Sequence, residues 1–482
     1  MKNNIILLVN PWIYDFAAYD FWIKPMGLLS IGSILEHFGY KTFLIDCMDR
    51  FHPLILKKST RGISPKHKYG TGKFLRQVVE KPEMLSDIPR KYCRYGMPMD
   101  TFNEALSNIP QPDVILVTSM MTYWYPGPFK AIELLRQAFP KTRIILGGIY
   151  ATLYHEHAEK YSGADVVITG PGERQALQLV DQITGNESDW NLFPEKWSEM
   201  PEPSYRYYNT LASVPVMTSR GCPYRCSFCA SYLLCDTFEQ KEPQRILEHI
   251  EYHYRKRHVN QFAFFDDALL VNKEAHIKKI LEGCENRSVH VNFHTPNGLH
   301  AGKIDAEIAQ IMFKTNFKTI RLSYETSNKA RQKEMLHKVS DDALSNALDH
   351  LENAGYARNH IDVYVIMGLP GQELEEVVDS MIFVNSLGAK VRLTSFSPIP
   401  NTVDWNRAVT RFEMEENPDP LLTNNTIFPL KNERQTYDQF QNLRNLSKVL
   451  NYALDQDISL FRQTHLNEIF YAAMNKYFKL NK

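Results

Sequence analysis

Short apolar runs rich in β-branched residues alternate with segments of helical periodicity over residues 1–185. This alternation predicts a parallel sheet whose two faces are both covered by helices. The predicted strands are residues 5–9, 42–45, 114–118, 143–146 and 166–169. The predicted helices lie near residues 28–37, 129–139, 154–161 and 174–183. Residues 1–185 are therefore expected to form a doubly wound α/β domain.

One connection in this series, near residues 50–110, is far longer than the few residues that usually join two elements. A connection of this length is either a lid or an insertion with structure of its own, and we expect a lid. Residues 186–213 are irregular and rich in Pro, Trp and Tyr. This composition predicts a linker between two domains.

A second alternating series begins at residue 214. Its predicted strands are residues 214–218, 262–265, 289–293, 319–322, 363–367 and 391–394, and its predicted helices are residues 244–254, 273–282, 306–313, 341–353 and 373–385. Six such units predict a partial (β/α)6 barrel over residues 214–402. After about residue 400 the sequence is irregular, acidic and rich in Asn, and helical periodicity then runs from 433 to 478, so residues 403–482 are expected to be mostly helical.

Composition excludes several classes of protein. The chain has 55 Lys and Arg against 55 Asp and Glu, so its net charge gives no reason to expect a nucleic-acid or membrane partner. No apolar run approaches the roughly 18 residues of a membrane span, and we expect a cytoplasmic protein. Seven cysteines, an odd number, do not fit a secreted disulfide framework.

Three of these cysteines, Cys222, Cys226 and Cys229, are clustered directly after the first strand of the second series. A [4Fe-4S] cluster that is fully held by protein has four cysteine ligands, so three ligands leave one iron open. An open metal position is typical of a catalytic rather than a structural site. The alternative is a zinc site completed by Cys235 or a histidine, although zinc ligands more commonly come as pairs separated by two residues.

The CxxxCxxC loop, with Phe228 before its last cysteine, resembles the signature of the radical S-adenosylmethionine (SAM) superfamily. Over about residues 4–402 the chain is similar to the subgroup with an N-terminal cobalamin-binding domain. The resemblance implies that a [4Fe-4S] cluster reductively cleaves SAM to a 5′-deoxyadenosyl radical. It also implies that the residues contacting SAM are Phe228, Asp266, Asp267, Ser323, Glu325, Met367, Gly368 and Pro398.

These positions also have ordinary structural interpretations. Asp266 and Asp267 would suit the start of the following helix, where aspartate is a common cap. Glu325 would suit a solvated loop, and Gly368 would suit a turn. The sequence does not identify a catalytic side chain.

Doubly wound sheets bind ligands beyond the carboxyl ends of their strands, and small residues gather at these ends in the first domain. Seven residues at or beside these ends resemble the cobalamin-contacting positions of the family: Ser119, Met120, Thr122, Gly147, Gly148, Gly172 and Glu173. The loop after the first strand lacks the histidine ligand of many cobalamin domains, and His155 and His157 are expected to be surface residues. Aromatic residues between Trp12 and Trp22 would alternatively fill the corrin cleft and leave the domain as a scaffold.

The expected function is cobalamin-dependent methylation of an unactivated carbon, with an external electron donor such as flavodoxin or ferredoxin. The second hypothesis is a cobalamin-independent radical rearrangement, oxidation or coupling. The third is a non-catalytic iron–sulfur protein that senses redox state or iron. The substrate, a small molecule or a peptide, and the oligomeric state are not encoded in any motif.

Overall fold

The computed structural model describes residues 4–58, 68–335, 339–411 and 414–456. The chain forms two compact units. Unit 1 comprises Met1–Gly221, Ser231–Ala263 and Asp419–Leu422, and unit 2 comprises Cys222–Ala230, Phe264–Pro418 and Thr423–Lys482. The domain bounds predicted above, at 1–185, 186–213, 214–402 and 403–482, follow the order of elements and stay a proposal.

The elements of unit 1 follow the predicted alternation. Its strands are β1 (Ile5–Asn10), β2 (Ile13–Asp15), β3 (Lys41–Asp46), β4 (Arg76–Val78), β5 (Cys93–Tyr95), β6 (Val114–Val117), β7 (Arg143–Leu146), β8 (Val166–Val167), β9 (Val214–Val216), β10 (Ser219–Arg220), β11 (Glu239–Gln240) and most of β12 (Gln261–Phe264). Its helices are α1 (Met26–His37), α2 (Pro53–Lys58), α3 (Met99–Ser107), α4 (Pro126–Ala138), α5 (Ile149–Leu153), α6 (His155–Tyr161), α7 (Glu173–Thr184), α8 (Ser231–Leu234) and α9 (Pro243–Arg257).

The five strands predicted for residues 1–185 form one parallel sheet in the order β3-β1-β6-β7-β8. Strand β1 explains why the sheet is buried on both faces. Leu7 and Val9 enter one hydrophobic core, whereas Ile6 and Leu8 enter the core on the opposite face. Each of these four side chains is fully buried, and each contributes about 1.5–3 kcal/mol. The strand order reverses between β1 and β6, which is where ligands bind in such sheets.

The long connection near residues 50–110 carries structure of its own. Strands β4 and β5 pair with β2 in a small antiparallel sheet. Phe74 and Tyr95 pack with Ile13 in a separate core. The described part of this segment is therefore an ordered insertion, which is the second of the two alternatives raised by its length.

Unit 2 contains the later part of the second series. Its strands are β13 (Asn292–His294), β14 (Leu299–His300), β15 (Phe317–Glu325), β16 (Ile361–Met367) and β17 (Lys390–Ser395). Its helices are α10 (Ile277–Asn286), α11 (Ala306–Lys314), α12 (Lys329–Glu334), α13 (Asp341–Asn353), α14 (Leu374–Ser386), α15 (Val403–Arg411) and α16 (Tyr437–Asp455).

Strands β13, β15, β16 and β17 are neighbours in a parallel sheet, with β14 pairing beside β15. Helix α16 covers the outer edge of β17. The side-chain amide of Asn451 accepts a hydrogen bond from the Val391 N–H and donates one to the Val391 carbonyl, both at 2.8 Å. The amide thus takes the place of a further strand and protects the sheet edge.

Two predictions about helices need correction. The helix expected at 273–282 begins at Ile277, because residues 270–276 form turns. Helix α15 occupies a stretch after residue 400 that was expected to be irregular. The helix predicted from 433 to 478 begins at Tyr437 with a capping box between Thr436 and Gln439. Its predicted part beyond residue 456 lies outside the described residues.

Candidate functional site

The cysteine loop of residues 222–230 is held by hydrogen bonds to its own backbone carbonyls. The Cys229 N–H donates to the Cys226 carbonyl at 3.0 Å, and Arg225 Nη1 donates to the Cys222 carbonyl at 2.8 Å. Cys226 is buried, whereas Cys222 and Cys229 are partly exposed. The three thiols therefore lie on a compact loop that is open to solvent at two of its three positions.

The chain enters this loop through Gly221, which lies in unit 1 with φ +77°. A Cβ atom there would lie 2.0 Å from the Thr237 carbonyl oxygen, which precedes β11. Only glycine accommodates both this conformation and this approach. The glycine before the first cysteine is thus required by the close approach of the segment that leads into β11, the antiparallel partner of β10.

Two neighbours inside the loop fix its second half. Ser227 donates through Oγ to Asp404 Oδ2 at 2.7 Å, and the Asp404 N–H donates to the Ser227 carbonyl at 3.0 Å. Phe228 packs against an apolar cluster that contains Ile366, Leu369 and Phe396. The structure thus brings Phe228 to the ends of β16 and β17, where the sequence placed other SAM contacts.

The acidic pair after β12 is divided between interior and solvent. Asp266 is 4% exposed, whereas Asp267 is exposed. Asn297 donates to the Phe265 carbonyl at 2.9 Å and to the Asp266 carbonyl at 3.3 Å. Helix α10 begins only at Ile277, so neither aspartate caps it. The pair lies on a loop that Asn297 ties to the end of β13.

The end of β15 carries an unusual backbone conformation. Glu325 has φ +78° although it is not glycine, and the register with β16 shifts between Ser323 and Glu325. Such a conformation costs about 1–3 kcal/mol and is often found at functional sites. Ser323, two residues earlier, is buried and pairs in register with Tyr364. Glu325 thus ends β15 in a strained conformation, and its contact with SAM stays a prediction.

The ends of β16 and β17 are joined to each other. Met367 ends β16, and its carbonyl accepts from the Phe396 N–H at 2.9 Å. Gly368 follows with φ +82°, and Pro398 is buried just beyond β17. These three predicted SAM contacts thus lie on adjacent segments of unit 2.

The carboxyl edge of the unit 1 sheet is built largely from backbone. Ser119 Oγ donates to the Gly147 carbonyl at 2.7 Å and accepts from the Ala151 N–H at 3.2 Å. Gly148 has φ +102°, and a Cβ there would lie 2.2 Å from the Ser119 carbonyl oxygen. Gly148 must therefore be glycine for the fold alone. Ser119 uses its hydroxyl within the protein.

Glu173, at the start of α7, forms a two-point ion pair with Arg220. Both residues belong to unit 1, and Arg220 lies two positions before Cys222. The carboxylate expected to contact cobalamin is thus engaged by an arginine. Gly172, which precedes it, has room for a Cβ 3.4 Å from Ile168 Cγ2. Its glycine identity is not required by packing.

The remaining predicted residues of this edge differ in exposure. Met120 is half-buried and Thr122 is buried. Two of the aromatic residues that would alternatively fill the corrin cleft, Trp12 and Trp22, contact residues of the insertion. The ring of Trp12 lies 4.6 Å from that of Phe102, and Trp22 Nε1 donates to the Tyr69 carbonyl at 2.8 Å.

The two histidines of α6 differ in exposure. His155 is partly exposed beside Glu159, but His157 is packed among aromatic side chains. Its Nδ1 lies 2.6 Å from the Tyr150 hydroxyl. Burial lowers the pKa of His157, and the Asp419 carboxylate, 4.0 Å from Nε2, acts in the opposite direction. The helical periodicity around His157 could not predict this contact, because Asp419 belongs to a distant part of the chain.

All seven cysteines lie in the described ranges, and none of them forms a disulfide bond. Within those ranges, no three His, Cys, Asp or Glu side chains converge on a single-ion site. Thiolates that bind separate irons of one cluster need not converge in this way. The donor set of three thiols on one loop fits a [4Fe-4S] cluster with one open iron.

Two family models match the chain. Residues 216–384 match the radical SAM superfamily, and residues 91–180 match the B12 binding domain. The first match contains the cysteine loop and the ends of β12 to β16. The second contains the glycine-rich edge of the unit 1 sheet. The chain belongs to the radical SAM superfamily and carries a B12-binding domain. It is a radical SAM enzyme.

Curated relatives of this radical SAM chain are distant. The cytidylyl-2-hydroxyethylphosphonate methyltransferase of Streptomyces wedmorensis is 18% identical over an alignment of 450 positions that covers 80% of this chain and 77% of that protein. The anaerobic magnesium-protoporphyrin IX monomethyl ester cyclase of Cereibacter sphaeroides is 23% identical over 36% of this chain and 33% of its own length.

Solved structures share the fold. The methyltransferase TsrM of Kitasatospora setae, with cobalamin and a [4Fe-4S] cluster bound, has a TM-score of 0.62 at 14% identity. The match covers 94% of this chain and 91% of that one. The cobalamin-dependent radical enzyme OxsB has a TM-score of 0.62 at 13% identity, covering 98% and 75% of the two chains. The α/β fold with a doubly wound first sheet and a radical SAM domain is thus confirmed.

The cofactors follow from the two domains. They are a [4Fe-4S] cluster and SAM for the radical SAM domain, and cobalamin for the B12-binding domain. The individual contact residues stay predictions. Two residues were not predicted from the sequence. Asp404 contacts Ser227 from far along the chain, and Arg220 contacts Glu173 from another element. Among the described residues, no helix combines the length and apolar character needed to cross a bilayer.

Proposed function

We propose that the protein is a cobalamin-dependent methyltransferase that acts on an unactivated carbon of its substrate. The observation that carries the proposal is that one chain combines a three-thiol loop with a sheet whose order reverses at β1 and β6. The first suits a cluster with an open iron, and the second suits a large flat ligand. The methyltransferases among the relatives and structural neighbours support the same function.

When bound, the cluster and SAM supply a 5′-deoxyadenosyl radical, and cobalamin supplies a transferable methyl group. Cys222, Cys226 and Cys229 hold the cluster through their thiolates. SAM would be held by Phe228 and by the strand-end residues, which are Asp266, Asp267, Ser323, Glu325, Met367, Gly368 and Pro398. The rigid ends of β15, β16 and β17 orient it, and the apolar cluster around Phe228 limits access of water.

Cobalamin would be held at the carboxyl edge of the unit 1 sheet. Ser119, Met120, Thr122, Gly147 and Gly148 form the part beside β6 and β7, and Gly172 allows close approach before α7. Because Arg220 engages Glu173, we assign this carboxylate to fixing α7 rather than to direct contact with the ligand.

Members of the superfamily need an external reductant. We propose a small electron-transfer protein such as flavodoxin or ferredoxin in this role. The proposed location is the cytoplasm, where such donors and reduced thiols coexist.

The test begins with anaerobic reconstitution of the cluster, titration with hydroxocobalamin, desalting and a visible spectrum. About one corrin per chain is expected from the single B12-binding domain. Reduction in the presence of SAM is expected to release 5′-deoxyadenosine. Methyl transfer from SAM additionally requires S-adenosylhomocysteine as the co-product, because the methyl group must leave that sulfonium.

Matched variants sharpen the result. Cys226→Ala is expected to lose the cluster absorbance and SAM cleavage together, whereas the buried Cys284→Ala, on α10, is expected to keep both. An intact cluster without retained corrin would overturn methylation in favour of cobalamin-independent radical chemistry. Absence of 5′-deoxyadenosine under reduction would instead favour a redox or iron sensor.

A further inference from the structure

The cysteine loop is clamped to the first turn of α15 by two hydrogen bonds that run in opposite directions. The Ser227 hydroxyl donates to Asp404 Oδ2 at 2.7 Å, and the Asp404 N–H donates back to the Ser227 carbonyl at 3.0 Å. Both residues are only 3% exposed. Hydrogen bonds shielded from water in this way define one backbone position for the loop.

The other end of the clamp is itself fixed. Thr402 Oγ1 accepts from the Trp405 N–H at 3.1 Å and donates to the Ile399 carbonyl at 2.8 Å. These bonds set the start of α15 relative to the segment that follows β17. Asp404 is therefore held by the frame of unit 2 rather than by the loop that it contacts.

The charge of this carboxylate is balanced locally. Asp404 Oδ1 accepts from Arg407 Nη1 at 2.9 Å, and the same nitrogen lies 3.5 Å from Glu334. A buried carboxylate without a cation would be costly and would oppose an added electron nearby. Arg407 reduces both effects.

We propose that Asp404 is a positioning residue for the cluster. It holds the backbone between Cys226 and Phe228 through Ser227, and with Arg407 it sets the charge beside the loop. The inference rests on the proposed ligation by Cys222, Cys226 and Cys229. It does not depend on cobalamin or on methyl transfer.

The experiment uses the full chain with a reconstituted cluster and compares Asp404→Ala, Asp404→Asn and Ser227→Ala with wild type. The readouts are iron and sulfide per chain, the rate of iron loss to a chelator, and a potentiometric titration followed by electron paramagnetic resonance. Asp438→Asn, an exposed aspartate in the first turn of α16, and the exposed Ser386→Ala are matched controls.

Residues that orient metal ligands typically change metal affinity about 10–100-fold when they are replaced, so Asp404→Ala is expected to lose iron about tenfold faster. Both alanine variants keep the backbone half of the clamp, but Ser227→Ala also keeps the Asp404 carboxylate and its hydrogen bond from Arg407, so it should be intermediate. Asp404→Asn keeps an acceptor for the Ser227 hydroxyl and should retain iron. Its cluster should be easier to reduce, because one negative charge is gone. The two controls should match wild type.

Wild-type iron retention in Asp404→Ala, together with an unchanged reduction potential in Asp404→Asn, would overturn the inference. If circular dichroism shows that Asp404→Ala is unfolded, Ser227→Ala and Asp404→Asn decide, and wild-type behaviour of both overturns it. Cys226→Ala separates the two proposals. A cluster that survives in Cys226→Ala refutes the ligation itself. If the cluster is lost in Cys226→Ala but is unaffected by the changes at Ser227 and Asp404, only the clamp is refuted.

Discussion

Arg220 donates hydrogen bonds to both carboxylate oxygens of Glu173, at 2.9 Å through Nη1 and at 3.2 Å through Nη2. The pair connects the first turn of α7 with β10, the strand that leads toward the cysteine loop. Because the Glu173 side chain is 7% exposed and that of Arg220 21%, water competes only weakly for these bonds. The carboxylate is therefore part of the frame of unit 1.

Glu173→Ala is expected to destabilise the protein by about 1.5–3 kcal/mol, the usual value of hydrogen bonds to a charged group, because Arg220 loses its partner. The measurement is the urea unfolding midpoint of the apo-protein. Glu159→Ala removes an exposed carboxylate beside His155 and should change stability by less than about 1 kcal/mol. Equal midpoints for the two variants would show that the Glu173 pair is not structural.

Gly148 and Gly172 allow the fold and the ligand to be tested separately. Alanine at 148 would adopt φ +102° and clash with the Ser119 carbonyl, so Gly148→Ala should cost at least about 1–3 kcal/mol. Alanine at 172 meets no close contact, and its fold should remain within about 1 kcal/mol of wild type.

If Gly172 lets cobalamin approach the backbone closely, Gly172→Ala should retain less corrin in the hydroxocobalamin titration. Its thermal unfolding temperature should stay near that of wild type. Full corrin retention by Gly172→Ala would remove this residue from the proposed site. A Gly148→Ala protein as stable as wild type would contradict the packing argument at the sheet edge.

Glu325 is held in a conformation that glycine adopts more easily, so its two simplest replacements should differ. Glu325→Gly is expected to be about 1 kcal/mol more stable than Glu325→Ala, because alanine keeps the strain at φ +78°. Both should bind SAM more weakly than wild type. Thermal unfolding and equilibrium binding of SAM to the cluster-loaded protein test this. An alanine variant as stable as the glycine variant, or undiminished SAM binding, would count against a strained contact residue.

The elements that local sequence predicts best are those with their own buried pattern. Strand β1 is apolar on both faces, and the cysteine loop has a spacing that needs no distant partner. Strands β2, β4 and β5 have three residues each, too few to show a period, so the insertion sheet could not be anticipated.

Partners that arrive from far along the chain are equally invisible to local patterns. Ser227 lies between two predicted site residues, yet nothing near it indicates that its partner is Asp404. Glu173 was recognised from its place at the start of α7, but its engagement by Arg220 depends on the packing of β10. His157 is half-buried, because Asp419 and the neighbouring aromatic rings pack beside it, and neither contact can be read from its own helix.

Buried histidines make stability depend on pH. Burial, aided by the charges of Arg321 and Lys318, lowers the pKa of His294 to about 3, and its Nδ1 lies 3.0 Å from Thr319 Oγ1. In the unfolded chain a histidine titrates near about 6.5. Below that pH the unfolded state binds a proton that the folded state does not.

The contribution of His294 is thus fully present above about pH 6.5 and is lost as the pH falls toward 3, at up to about 1.4 kcal/mol per pH unit. Urea unfolding of wild type and His294→Gln between pH 8 and 5 measures this difference. The variant should depend less on pH, since glutamine has no proton to gain. His290→Gln, which replaces an exposed histidine, is the matched control and should follow wild type. Parallel curves for wild type and His294→Gln would mean that His294 has the same pKa in the folded and the unfolded protein, contrary to its burial beside a cationic arginine.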